Sequence, residues 1–171
     1  MTADLTGIEA NSLSPSQHLF VWLLRTWFRG MVMGQDTTDF MAHVCFDTGI
    51  GDAVDDLDEF FAMIASGARR QYSVGCDQCT HVHRFEVQLV NALAALQRNE
   101  WDHATYLIEF YVKPDEAYMA GPPAYRLGAA MALAGWDIEP LTLNDGHSSR
   151  QRLMPFEDDF DGTNIIRFPG S

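Results

Sequence analysis

The chain has 171 residues, enough for one domain that buries roughly two-thirds of the surface its unfolded form exposes. Hydrophobic residues make up 47%, with eleven Phe, four Trp and eight Met, which excludes a globally disordered chain. One lysine, Lys113, stands beside ten arginines in a net charge of −13, so the chain lacks the basic face that binds nucleic-acid phosphates and no nucleic-acid partner is expected.

Three cysteines, two of them in a C-x-x-C, do not make the even framework of a secreted disulfide scaffold, and no signal peptide precedes them. A cytoplasmic, bacterial-type protein is the expectation. The most apolar run, Leu19 to Leu24 followed by Trp27 and Phe28, is broken by Arg25 and Arg29 and is too short to span a bilayer.

Residues 1–13 are small and polar without periodicity and read as a loose N-terminal arm. Ser14-Pro15-Ser16-Gln17 combines an N-cap, a proline suited to the first helical position and a capping-box Gln, so a helix is expected to begin there and run to about Met33, where Gly34 ends it. Its apolar residues surround most of the circumference, as in a central helix. Asp36 or Thr37 can cap a second helix, Thr38 to about Thr48, with Phe40, Met41, Val44 and Cys45 inside. A third helix from Ala53 to Ser66 turns Val54, Leu57, Phe61 and Ile64 to one face and stops at Gly67.

Arg69 to Gly75 is a connector in which Tyr72-Ser73-Val74 suits a short extended piece. Thr80 is the expected N-cap of a fourth helix carrying Phe85, Leu89, Leu93 and Leu96 to Arg98. After Asn99-Glu100, the spacing of Trp101, Ala104, Ile108 and Tyr111 predicts a fifth helix ending at Lys113-Pro114, in a helical hairpin with the fourth. A turn near Asp115 to Met119 and a break at Gly121-Pro122-Pro123 should precede a sixth helix through Leu127, Met131 and Ala134, whose Gly128, Ala129 and Ala130 allow close packing. From Asp137 on the pattern fades, leaving Leu141 to Leu143 and Ile165 to Phe168 as short strand candidates. The fold class is therefore all-α, a single-domain bundle of about six helices spanning 14–136, with an N-terminal arm (1–13) and an acidic, irregular tail (137–171).

Chemistry concentrates in Cys76-Asp77-Gln78-Cys79-Thr80-His81-Val82-His83. A two-residue spacer lets both thiolates reach one ion, with His81 or His83 as third ligand and Cys45 as a candidate fourth, which would close the tetrahedron of a structural zinc. No second C-x-x-C or spaced His pair exists, so the pattern is weaker than a zinc finger, and two thiols beside two surface histidines is the plain alternative. A helix N-terminus at Thr80 would lower the Cys79 pKa and favour redox use, although no βαβ pattern surrounds it as in thioredoxin-like folds.

Carboxylate–histidine pairs occur at Asp39/His43, His83/Glu86 and Glu100/His103, and only the last has the Glu-x-x-His order of di-metal bundles. Glu157 to Gly162 mimics a calcium loop, but Phe168 stands where the bidentate Glu belongs. Standard nucleophile and phosphate-binding motifs are absent.

The C-x-x-C before a long helix, then Ala94-Ala95-Leu96-Gln97-Arg98-Asn99-Glu100 and a closing Gly135-Trp136, resembles uncharacterised small helical bacterial proteins with a Cys-rich turn ahead of a helical hairpin. The resemblance covers roughly residues 70 to 136 and implies no activity; His81-Val82-His83 departs from it. The leading expectation is a non-enzymatic helical module with structural zinc at the Cys turn, acting through a protein partner or a homodimer. The alternative is a metal- or thiol-dependent enzyme using Cys76, Cys79 and a nearby His.

Overall fold

The computed structural model describes residues 5–143 and 166–168. Among these residues six helices carry the fold: α1 (Pro15–Met33), α2 (Thr38–Asp47), α3 (Val54–Ser66), α4 (Arg84–Gln97), α5 (Trp101–Glu109) and α6 (Pro114–Leu133). Four short strands, β1 (Leu5–Glu9), β2 (Tyr72–Val74), β3 (His81–His83) and β4 (Ile166–Phe168), form two antiparallel pairs, β1 with β3 and β2 with β4. The architecture is all-α, and no helix among the described residues is long and apolar enough to cross a membrane.

α1 starts as its sequence dictates. Gln17 N–H donates to Ser14 Oγ and Ser14 N–H to Gln17 Oε1, with Pro15 at the first helical position. At the other end Gly34 takes φ of 62°, a left-handed conformation that a side chain would strain. Phe20, Leu23, Leu24 and Phe28 are fully buried against α3 and α4. α4 is the centre of the fold: of the residues from Phe85 to Leu96 only Gln88 and Asn91 are not buried, and its faces meet α1, α5 and α6.

Several elements differ from their sequence expectation. The N-terminal segment is not a loose arm from residue 5 onward, because β1 pairs with β3 and Thr6 Oγ1 donates to Val82 O at 2.6 Å. Within α2, Met41 and Cys45 are buried whereas Phe40 is 54% exposed, its ring packing edge-on against Trp22. So short a helix has room for one i, i+4 seam, and position 40 lies about 100° away from it. α4 begins at Arg84 rather than after Thr80, since residues 81–83 are drawn into the ladder with β1.

The largest difference is α6, one continuous helix through Pro122 and Pro123. The two prolines remove the N–H groups that would bond to the carbonyls of Tyr118 and Met119. The helix persists because tertiary packing outweighs the local cost: Ala117, Ala120, Gly121, Ala124, Leu127, Gly128 and Met131 are buried, and Pro122 itself faces outward. The small residues act as expected, with Leu93 and Gln97 of α4 lying directly over the Gly128 backbone.

Packing also continues past Trp136. Gln97 holds the exit from α6, accepting from Ile138 N–H and donating to the carbonyls of Gly128 and Trp136. Asn91 makes a reciprocal pair with Leu141, and Gln17 donates to Glu139 O. Ile138 is 4% exposed, so this first stretch of the tail belongs to the core rather than draping over it. Leu141 to Leu143 is not a strand, whereas Ile166 to Phe168 is, in register with Val74 to Tyr72. Residues 144–165, and with them the calcium-like stretch, lie outside the described residues.

Two substitutions test this account. Leu93→Ala, at a site with no exposure, should lower unfolding free energy by about 2–5 kcal/mol in denaturant titration. Asn91→Ala should cost about 1–3 kcal/mol through the two lost Leu141 bonds, a change near zero showing that the tail strap is energetically idle.

Candidate functional site

The Cys segment is held from beneath by two charges that the packing buries. Arg25, on α1, is 5% exposed and Glu86, on α4, is 0% exposed. They form a bidentate pair, Arg25 Nε to Glu86 Oε1 at 2.7 Å and Nη2 to Oε2 at 2.9 Å. An uncompensated charge at either position would be prohibitive, so the remaining hydrogen-bonding capacity must also be met.

It is met by the Cys segment itself. Arg25 Nη1 donates to the carbonyls of Cys76 (3.2 Å) and Cys79 (3.1 Å), and Nη2 to that of His81 (2.9 Å). These three bonds and the two to Glu86 use all five guanidinium donors. Glu86 in turn accepts Gly75 N–H on Oε1 at 3.0 Å and His83 N–H on Oε2 at 2.8 Å, filling its four acceptor positions. Burial opposes the Arg25 charge, yet the hydrogen bond and attraction from Glu86, with smaller contributions from Cys79 and Cys76, raise its pKa above the ordinary guanidinium value. Gly75 is required here because a Cβ would stand 2.6 Å from Nη2 and 2.8 Å from Cζ of Arg25.

Pinned in this way, Cys76 to Cys79 forms a tight turn closed by Cys79 N–H donating to Cys76 O at 3.1 Å. Asp77 at its tip pairs with Arg29, one helical turn along α1 from Arg25. Both cysteines are half-buried and neither is in a disulfide. Their sulfurs are 2.6 Å apart, and Cys76 N–H donates to Cys79 Sγ at 3.0 Å. Burial first, and the side-chain contact with Cys76 second, push the Cys79 thiol up to about 11. The reading in which a helix terminus at Thr80 activates Cys79 is therefore corrected: the helix starts four residues later and the thiol is held protonated.

The structure thus brings Cys76 and Cys79 together as their spacing requires. Cys45 sits in α2 with no exposure, and burial pushes its thiol up to about 11. His83 is 3% exposed and caps α4, its ring accepting the Glu86 N–H while Glu86 returns the bond. His81 is half-buried, with Nδ1 3.0 Å from Thr80 Oγ1. Among the described residues no three of His, Cys, Asp and Glu come together as a group that could hold a metal ion. Of the carboxylate–histidine pairs, His83 and Glu86 share this buried cap, His43 faces Asp47 at 3.4 Å, and Glu100 is engaged by Arg98, whose hydrogen bond lowers its pKa.

Sequence reasoning named Glu86 only as a partner of His83 and missed Arg25 and Gly75. The available signal was a charged residue on a helix apolar all round, matched by an acid inside the apolar stripe of α4. His83-x-x-Glu86 is moreover the capping-box spacing with His in place of Ser. No protein-family model matches the chain, and neither a curated protein nor a solved structure does.

Arg25→Met should destabilise the fold by about 3–5 kcal/mol, because it strands a buried carboxylate along with three carbonyls. Arg25→Met combined with Glu86→Leu should cost clearly less than the sum of the two single changes. Additive losses in denaturant titration would show that the two groups do not act as a unit.

Proposed function

We propose that this is a helical thiol protein whose working element is the Cys76–Cys79 turn, interconverting between dithiol and disulfide. The observation that carries the reading is the contact of the two sulfurs at 2.6 Å on a backbone fixed by a buried, fully satisfied ion pair. Two thiolates on one tetrahedral zinc, with bonds of about 2.3 Å, stand about 3.7 Å apart and need two further ligands. The two cysteines already share one tight turn with their sulfurs side by side, so a disulfide between them draws no distant element toward another.

The structural-zinc reading suggested by the C-x-x-C spacing, with His81 as the nearest additional ligand in sequence, is separated from this one by counting. Purified protein treated with oxidised glutathione and then freed of it should lose two hydrogens by intact mass. Digestion should place the bond between Cys76 and Cys79, leave Cys45 as a free thiol, and show full reversal with dithiothreitol. One zinc per chain that survives gel filtration, and is lost in Cys76→Ser, would replace the dithiol reading by the structural-metal one. Two thiols that neither oxidise nor hold metal would remove both. Because the disulfide closes so short a loop, oxidation should raise unfolding free energy by no more than about 2 kcal/mol.

A further inference from the structure

Among the described residues, the turn offers a pair of sulfur donors and no third ligand grouped with them. Cys76 and Cys79 are half-buried with their sulfurs side by side, and Asp77, Gln78 and Thr80 around them are exposed, so the pair stands open to solvent. The third cysteine, Cys45, is fully buried in α2. His83 is spent on the α4 cap, Asp77 on Arg29, and His81 turns its Nδ1 to Thr80 Oγ1.

Resting on the reduced half of the dithiol reading above, we propose that the turn binds one copper(I) ion, with Cys76 Sγ and Cys79 Sγ as its two protein ligands. A borderline divalent ion such as zinc needs four ligands for a closed site, and two of the four would be missing here. Copper(I) is a soft monovalent ion that selects thiolate donors, and its filled d shell is satisfied by two of them in line. Binding replaces two S–H bonds with two Cu–S bonds. The ion enters as copper(I), two protons leave to solvent, no electron moves, and the bound centre carries one net negative charge.

The surroundings suit that charge and that geometry. Cys76 N–H already donates to Cys79 Sγ at 3.0 Å, a bond that strengthens when the sulfur becomes a metal-bound thiolate. The guanidinium of Arg25, bonded to the carbonyls of both cysteines, fixes a positive charge beneath the turn. Each sulfur hangs on a single side-chain torsion, so the pair can part around an ion while the backbone stays bonded to Arg25. Closing the disulfide withdraws both donors, so the oxidised form has no site.

The test adds the full, reduced chain to the coloured bicinchoninate complex of copper(I), at neutral pH and without oxygen, and reads the loss of colour. One ion per chain should pass to the protein. Cys76→Ser and Cys79→Ser should each leave the copper with the chelator, whereas Cys45→Ala should still take up one ion. The unaltered chain, its disulfide first closed with oxidised glutathione, should take up none, a comparison independent of whether any variant folds. X-ray absorption of the loaded protein should show two sulfur neighbours at the copper and no nitrogen or oxygen. The assignment is overturned by copper left with the chelator, by uptake that survives the closed disulfide or the loss of either turn cysteine, by three or more ligands at the copper, or by displacement with equimolar zinc. If the chain closes its disulfide under oxidised glutathione yet takes no copper, the dithiol reading stands and this inference alone falls. Copper bound by a chain whose thiols never close upholds the site and removes the interconversion instead.

Discussion

The buried pair of Arg25 and Glu86 is the interaction on which the rest of the site depends. A guanidinium and a carboxylate at 5% and 0% exposure are tolerable only if every donor and acceptor finds a partner, and the pair alone leaves three N–H groups and two acceptor positions open. The chain meets that demand with backbone from one segment, the carbonyls of Cys76, Cys79 and His81 and the N–H groups of Gly75 and His83. Five backbone groups within nine residues are thereby fixed against two helices. The conformation of the Cys turn follows from an electrostatic requirement of the core rather than from the propensities of the turn itself.

The pair is in turn placed by apolar packing. Phe28 lies three residues beyond Arg25, Tyr72 three before Gly75, and Phe85 next to Glu86. Tyr72 and Phe85 stack with centroids 3.9 Å apart, Phe28 meets both edge-on, and Tyr111 closes the cluster with an edge-on contact to Phe85 at 5.2 Å. Such contacts supply most of the driving force and little direction. The ion pair supplies direction at some cost in desolvation. Its effect on the structure is registry: α1, α4 and the strands flanking the Cys turn are locked into one alignment. β2 then receives β4 and β3 receives β1, so segments from both ends of the chain attach on either side of the turn.

Helix number, most helix boundaries and the apolar seams were legible in the sequence because periodicity over ten or more residues and cap chemistry at Ser14 and Gly34 are local signals. What was not legible depended on distant partners. Residues 81–83 look like the first turn of α4 until β1, more than seventy residues earlier, pairs with them. Pro122 and Pro123 look like a break until α3 and α4 cover the other face of α6. Ile138 and Leu141 look like tail until Gln97 and Asn91 offer side-chain amides to their backbone. At the site, proximity of Cys76 and Cys79 followed from spacing, but the support beneath them did not. Arg25 registers in the sequence as an interruption of an apolar run, and its meaning emerges only when Glu86 is placed opposite.

That support bears directly on what the turn can do. With the carbonyls of Cys76 and Cys79 both bonded to Arg25 Nη1, the two backbones have a fixed spacing, and the sulfurs are free to adjust only through their own side-chain torsions. A closed tetrahedral metal site would need ligands beyond these two sulfurs. Cys45 is committed to the α2 core, and His83 to the α4 cap and the same buried network that holds the turn. Rotating His83 out would uncover the Glu86 N–H, and moving the strand that carries it would break the Glu86 bond that completes the ion pair. The network that fixes the backbone of the two cysteines therefore also holds His83.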